Sequence, residues 1–460
     1  MSQYVEGPEA AQIIEKKSEL IDLFHQAGKP REAWRIGTEY EAVGVSRRSG
    51  RAMRYFGRRG VETILQRLAE TLGWEPQEEE GHIIALKGPR SNITLEPGGQ
   101  LELSGELCET IHCAHKELTT HIANLATVSK DLDLAFLNLG MQPVSGLDDI
   151  EWIPKTRYLI MAPYMEQVGT LGHRMMKQTA SIQVNFDYAD EADAMMKFRV
   201  GMGLVPILSA MFANSPITDS TLNGFMTLRG HVWTETDRAR CGMLPFALAQ
   251  GVGFENYVEY ALNVPMYFIV RRGRWIDMTG IPFRRFLEEG YEGEQATLED
   301  WILHLTTLFP EVRLKRYLEL RCFDNQPQEL ILAVPALAKG IFYEPYCLWA
   351  AWDLVKRWSW EERVALYHAA HRQALGARVR GITLLDLAKE LFLIAWEGLE
   401  RQGQLNDKGE NETLYLDRLR DELWRGQCPA YTLVEKWIGQ WDREIKKLID
   451  SCAYRLPEEE

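Results

Sequence analysis

The chain of 460 residues lacks most of the short signatures that announce a function. It has no GxxxxGK[ST] loop, and the Gly-Met-Gly at 201–203 is without the third glycine of a dinucleotide loop, so nucleotide binding of those two types is excluded. GxSxG is also missing, and with it the nucleophile turn of the α/β hydrolases. Cysteine is sparse. Cys108, Cys113, Cys241, Cys322, Cys347, Cys428 and Cys452 are odd in number and form no CxxC pair, which suits a reducing compartment and predicts a scaffold without disulfides. No unbroken apolar run reaches the roughly 18 residues that would span a bilayer. The opening residues have neither the character of a secretory signal nor that of a transit peptide. The expected setting is therefore cytoplasmic, without a membrane partner. Basic blocks are absent too: Lys+Arg is 52 against Asp+Glu 66, a net charge of −14, with no stripe that could track a nucleic-acid backbone. A polyanionic small substrate would meet the same repulsion, so binding one requires divalent cations or local arginines.

What is present is a globular composition, 46% hydrophobic and 26% charged, long enough to bury a large core. Residues 8–28 carry apolar positions at helical spacing, among them Ala11, Ile14, Leu20, Leu23 and Phe24, and Gly-Lys-Pro ends them. From Arg35 the period changes to alternation in RIGTEYEAVGV, SNITLEPGGQLELSG, SIQVNFDY, LRGHVWTE and VPMYFIVRRGRWIDM, each read as strand. Helical stretches near 61–74, 107–132 and 190–213 lie between them. Pro-Gly-Gly at 97–99 and Arg-Gly at 272–273 look like hairpin turns, which favours an α+β fold with an antiparallel sheet over repeated βαβ units. Beyond residue 325 the pattern is almost wholly helical, with SWEE at Ser359 and TLLD at Thr383 as N-cap signals. No Ser/Gly- or Pro-rich linker interrupts the chain, so residues 1–325 are read as the sheet domain and 326–460 as a helical portion packed on it.

Chemistry is suggested by acids in strands. Alternation puts Glu39 and Glu41 on one face beside Gly37, and Glu96 and Glu102 flank a tight glycine turn that can point both to one side. A solvated sheet face would tolerate such acids, but burial would require ion pairing or a cation, and an all-oxygen set suits Mg²⁺, with Mn²⁺ as a substitute. SIQVNFDY sets Gln183, Asn185 and Asp187 opposite Ile182, Val184 and Phe186, and the amides fit a polar cleft. Read as a strand, LRGHVWTE places Arg229, His231 and Trp233 together, a clamp for an amino-acid carboxylate and its stem. Read as extended, EVRLKRYLELR gives Arg313 and Lys315 one face, with Tyr317, Glu319 and Arg321 sharing theirs, a place where triphosphate charge could be met. Cys108, His112 and His115 resemble a zinc half-site on a helix, with Cys113 adjacent, but no partner pair exists and packing is the preferred reading.

Taken in order, RIGTEYE, LEPGGQLELSG, PKTRYLIM, VGTLGHRMM, SIQVNFDY, FANSPIT, HVWTETDRARCGMLPF, YALNVPMYF, WIDMTG and LTTLFPEVRLKRYLELR resemble the plant-type glutamate–cysteine ligase family, also found in proteobacteria. The resemblance implies a glutamine-synthetase-like curved antiparallel sheet forming a funnel for ATP and metal ions. It implies the first step of glutathione biosynthesis: ATP phosphorylates the γ-carboxylate of glutamate, and the amine of cysteine displaces phosphate to give γ-glutamylcysteine. Carried onto this sequence, Glu39, Glu41, Glu96, Glu102 and Glu319 become metal acids, and Gln183 and Asn185 with Arg313 and Lys315 contact the nucleotide. Arg321 joins Arg313 and Lys315 as the phosphate cations. Arg229 and Trp233 would hold glutamate, and Arg157 and Tyr267 cysteine. Plant members carry a cysteine where this chain has Met278, so the plant thiol switch is not expected. Three rivals stand beside this reading: a ligase taking another amine, a non-catalytic binding relative, and a metal-dependent hydrolase on the same sheet.

Overall fold

A computed structural model describes residues 12–456. Its centre is a nine-stranded sheet in which every pair is antiparallel. The strands are β1 (Ile36–Ser46), β2 (Glu75–Glu79), β3 (His82–Lys87), β4 (Asn92–Leu95), β5 (Leu101–Ser104), β6 (Leu134–Leu137), β7 (Ser181–Phe186), β8 (Val312–Leu314) and β9 (Leu318–Asp324). Across the sheet they run β8-β9-β7-β1-β5-β4-β3-β2, and β6 pairs with the far half of β1. β1 is long enough to serve several partners, β5 through Glu39–Ala42 and β6 through Val43–Ser46.

Register sorts the side chains by face. Leu86, Ile93, Leu103, Tyr40 and Ile182 stand opposite one another from β3 to β7, and the following row brings Val184 against Leu320. All are buried, and each aliphatic side chain contributes about 1.5–3 kcal/mol of transfer free energy. The opposite face is polar and equally covered. Thr94, Glu102 and Glu41 form one row, Glu39 and Gln183 a second, and Asn185, Glu319 and Arg313 a third. Because period-2 alternation is strict, these residues cannot leave their face without expelling the apolar set from the core. The turn between β4 and β5 needs Gly99, whose φ of +83° is left-handed.

Most sequence expectations are met in kind. The hairpin at 272–273, the helix Ile111–Ser129 and the capping boxes at Ser359 and Thr383 are all present. The first predicted helix runs only Lys17–His25, and residues 8–11 lie outside the described residues. Two expectations are overturned. LRGHVWTE is the helix Leu228–Thr234, with Thr227 capping it through the Gly230 N–H, because the threonine cap and Gly230 favour a turn that overrides the alternation. Cys108 and Cys113 form a disulfide, their Cα atoms 5.7 Å apart, where free thiols were expected. A cap residue, Thr110, turns the chain between them so that a separation of five residues brings the sulfurs together. The zinc half-site dissolves accordingly: His112 Nδ1 lies 2.9 Å from the Tyr415 hydroxyl, and His115 packs on the Tyr415 ring. Glu191–Met211 is a helix long and apolar enough by length and composition to cross a membrane, and Lys197 and Arg199 break its apolar run as the sequence reading expects. It lies largely buried behind the sheet, against β8 and β9 and the helices Pro345–Val355 and Trp360–Gln373.

After β9 the chain is helical apart from a two-residue strand pair at 378–379 and 382–383. Helices Ala333–Phe342 and Leu384–Gln402 cross at Gly340 and Gly398, where a Cβ on Gly398 would stand 1.9 Å from the Gly340 carbonyl oxygen. Gly398→Ala should therefore destabilise the protein by about 1–3 kcal/mol despite alanine's better helix propensity. A lowered urea midpoint checks this; an unchanged or raised midpoint would show that the crossing relaxes without cost.

Candidate active site

The polar face of the sheet forms one wall of a cavity. Glu41 accepts from the Ser181 N–H at 2.7 Å and from the Gln183 amide at 2.9 Å. Burial, followed by the charges of Glu96 and Glu102, pushes its carboxyl up to about 8. Glu102 accepts from the hydroxyls of Thr94 at 3.0 Å and Ser104 at 2.5 Å, and it too is raised, by burial and then by Glu39. Glu39 accepts from the Asn185 amide at 3.1 Å. With Glu96 on the turn before β5, four carboxylates line one side of the cavity, three of them on strands with relative exposures of 4–7%. Glu41 and Glu102, raised by burial and then by neighbouring carboxylates, need a cation to be ionised together, and the donor set consists of oxygens alone. The residues present therefore fit a divalent hard metal ion.

β8 and β9 supply the opposite charge. Arg313, Lys315 and Arg321 all bond to one carboxylate, that of Glu319, with Arg313 Nη2 and Lys315 Nζ at 2.6 and 2.7 Å. Burial alone would raise Glu319, but Arg313, Lys315 and Arg321 outweigh it and hold the carboxyl well below its usual range. Three cations on one fully buried anion leave net positive charge facing the cavity. Arg313 also donates to the carbonyls of Thr306 and Leu308 at 2.8 and 3.0 Å, and Arg321 donates to the Gln183 side-chain oxygen. Gln183 thus joins the acid row to the cation cluster, accepting from one and donating to the other.

The end walls carry unpaired donors. On the Leu228–Thr234 helix, Arg229 and Trp233 are four residues apart and share a helical face, so they meet in the cavity for a different reason than strand alternation; His231 instead stacks on Phe225. Arg229 Nη2 donates to the Arg321 carbonyl at 2.9 Å, while Arg229 Nε and Trp233 Nε1 are buried with no protein partner. At the other end Arg157 begins the helix Arg157–Val168 and donates to the Tyr158 hydroxyl at 3.0 Å; its Nε is likewise unpartnered. Buried N–H groups without acceptors cost about 1–3 kcal/mol each, which a bound carboxylate would recover. Tyr267 does not line the cavity. It sits behind it, its hydroxyl 3.5 Å from Met165 Sδ and its ring under the Arg240 guanidinium, and the neighbouring Phe268 reaches the cavity instead.

The cavity gathers Glu39, Glu41, Glu96, Glu102, Gln183, Arg157, Arg229, Trp233, Arg313, Lys315 and Arg321 from six separate chain segments. Asn185 and Glu319 stand directly behind it, bonded to Glu39 and to the cations. Sequence reasoning missed Thr94, Tyr158, Met161, Met175 and Met176, which also line it. Thr94 was recoverable, because alternation sets it on the face of Glu96; the methionines come from helices whose apolar faces carry no signal of their own. Lys155 was missed too: burial, then Arg157, lowers its ammonium to about 7, and it donates to the Leu95 carbonyl at 2.9 Å.

The profile of the glutamate-cysteine ligase family 2 (GCS2) matches residues 35–451. The chain is 41% identical over 441 residues to the chloroplastic glutamate–cysteine ligase of Medicago truncatula, covering 95% of this chain and 85% of that one. It is 40% identical over 451 residues to the chloroplastic glutamate–cysteine ligase B of Oryza sativa subsp. japonica, covering 97% and 89%. The crystal structure of a Francisella tularensis glutamate–cysteine ligase in complex with AMP shares the fold, with a TM-score of 0.52, 14% identity, and coverage of 92% of this chain and 90% of that one. A profile match across most of the length, and this identity to full-length relatives, establish that the chain belongs to the glutamate–cysteine ligase family 2.

Proposed function

We propose that the cavity joins the γ-carboxylate of glutamate to the amine of cysteine at the expense of ATP, giving γ-glutamylcysteine, ADP and phosphate. The observation that carries this reading is the pairing of a buried acid row with a cation cluster across one cavity, in a chain of this family. A carboxylate is a poor electrophile at neutral pH, so it must acquire a leaving group before an amine can displace it. Glu39, Glu41, Glu96 and Glu102 would hold Mg²⁺, or Mn²⁺, which when bound neutralises charge on the phosphoryl group. Arg313, Lys315 and Arg321 face the triphosphate, with Glu319 as the buried anchor that fixes their geometry; the family resemblance assigns Glu319 to the metal ligands. Gln183 and Asn185 orient the acids on the nucleotide side.

Glutamate lies against Arg229 and Trp233, whose unpaired N–H groups donate to its α-carboxylate, and its γ-carboxylate points along the sheet toward the cation cluster. Its γ-oxygen takes the terminal phosphoryl group, and ADP departs with the electron pair of the broken bond. Cysteine lies against Arg157, with Tyr267 supporting that end from behind; its amine attacks the acyl carbon, the carbon–oxygen bond to phosphate breaks, and the nitrogen gives up a proton. Residues of this chain contribute position and preorganised charge, the effects expected to supply most of the rate. For a cytosolic setting the support is the five free cysteines, four of them buried, and the Cys108–Cys113 disulfide counts against it.

Three outcomes check the reading. Glu39→Gln and Glu102→Gln should each reduce ATP-dependent turnover by about a thousandfold or more while leaving the far-UV spectrum and Tm near those of the parent; near-normal turnover at saturating magnesium would remove these acids from the metal site. ADP release with glutamate should depend strictly on cysteine, whereas equal rates with other amines would favour a different ligase and product formed without ATP a hydrolase. Because the folded carboxyl of Glu41 stands at about 8, above its ordinary 4.5, the metal-free native state binds more protons than the unfolded chain between those values, so this group makes stability fall as pH rises through that window. Magnesium binding at pH 7 should then release a proton, seen by calorimetry as a heat that varies with the ionisation enthalpy of the buffer; a buffer-independent heat would show that Glu41 is already ionised.

A further inference from the structure

Behind the arginine wall lies a buried acid that the reaction does not use. Glu311, 7% exposed, immediately precedes β8. Its backbone is bonded on both sides, the N–H donating to the Gly242 carbonyl and the carbonyl accepting from the Arg321 N–H, each at 3.0 Å. Its carboxylate accepts a short hydrogen bond from the Tyr367 hydroxyl, on the helix Trp360–Gln373 of the C-terminal portion. Burial raises the carboxyl, and the Tyr367 hydrogen bond and then Arg229 and Arg321 draw it back down, so the charges it feels are the two guanidinium groups that line the cavity.

The same helix reaches Arg229 by a second route. The His371 carbonyl, at its C-terminal end, accepts from the N–H groups of Met226 and Thr227 at 2.8 and 3.1 Å, just where the Arg229 helix begins. A Cβ on Gly230 would stand 2.7 Å from the His371 ring, so the two helices are in contact at the residue after Arg229. Thr227 in turn donates to Asp324 at 2.8 Å, and Arg229 Nη2 closes the circuit on the Arg321 carbonyl.

We infer that Tyr367 and Glu311 are positioning residues for the substrate-binding Arg229, so that the helical C-terminal portion takes part in amino-acid binding without touching the substrate. The inference rests on the placement of glutamate against Arg229 proposed above. A buried carboxylate held by a phenol supplies the counter-charge that keeps Arg229 and Arg321 side by side, where their mutual repulsion would otherwise splay them. Helix Trp360–Gln373 sets the height of the Arg229 helix, and Tyr367 sets the direction of the acid.

Steady-state kinetics of the full chain with three variants tests this. Arg229→Lys is the reference, because the substrate whose KM it raises is the one Arg229 holds, glutamate on the reading above. Tyr367→Phe and Glu311→Gln should raise that same KM about tenfold, leave the KM of the other amino acid within about twofold, and keep Tm close to the parent. A merely structural role would lower Tm and kcat together and move all substrates alike, and that result overturns the inference. It is overturned as well if Arg229→Lys raises one KM and neither variant follows it. Should Arg229→Lys raise neither KM, the placement of the substrate fails, and the inference falls with it. If Tyr367→Phe does not fold, the isosteric Glu311→Gln decides alone.

Discussion

Carboxylates on one strand face cannot be buried together unless something of opposite charge is buried with them, and much of this structure is a response to that constraint. Glu39, Glu41 and Glu102 sit on adjacent strands at exposures of 4–7%, and two of them are raised by burial and by their neighbours. Hydroxyls and amides satisfy their oxygens without cancelling their charge. The cation cluster on β8 and β9 is already occupied by Glu319, so it balances the acids only at a distance. The result is a cavity with separated charge, negative along one side and positive along the other. Such a cavity suits a metal–nucleotide complex, which carries both signs and can be laid across it.

Separated charge of this kind would collapse if the walls were flexible, because arginine and glutamate side chains would pair and fill the space. The fold prevents this by tying each charged group to rigid backbone. Arg313 is held by two carbonyls, Arg229 by the Arg321 carbonyl, and Glu41 by a strand N–H, so each side chain has little freedom left. The C-terminal helices do more than bury an outer surface in this respect. Through Glu311 and His371 they reach the residues that the sheet presents, and they join the helical portion to the chemistry.

The rows of acids and amides were legible in the sequence because strand alternation has a fixed period: once Glu39 and Glu41 are in a strand, they share a face, whatever the rest of the chain does. The same rule misled at Leu228–Thr234. There Arg229, His231 and Trp233 alternate, yet the chain is helical, and the pair that meets in the cavity is the one spaced at four. Tyr267 shows another limit. Its segment was recognised, but the side chain turns inward under Arg240, and Phe268 takes the place at the cavity wall. Cys108 and Cys113 were read as thiols because an odd count without a CxxC pair points to a reducing compartment; a capped turn at Thr110 brings them together.

By itself, then, the sequence determined the mixed α+β class, the antiparallel hairpins, the acidic face and the family, since each depends on local periodicity or on the order of residues along the chain. Tertiary structure alone decided which strand lies beside which, and therefore that Glu102 faces Glu41, that Gln183 links acids to cations, and that Glu319 gathers Arg313, Lys315 and Arg321. It alone brought Glu311 and Tyr367, 56 residues apart, into one hydrogen bond behind Arg229. The physical reason is the same in each case. Side-chain direction follows from local backbone geometry, whereas the partner met in that direction depends on contacts between distant segments, which no local pattern encodes.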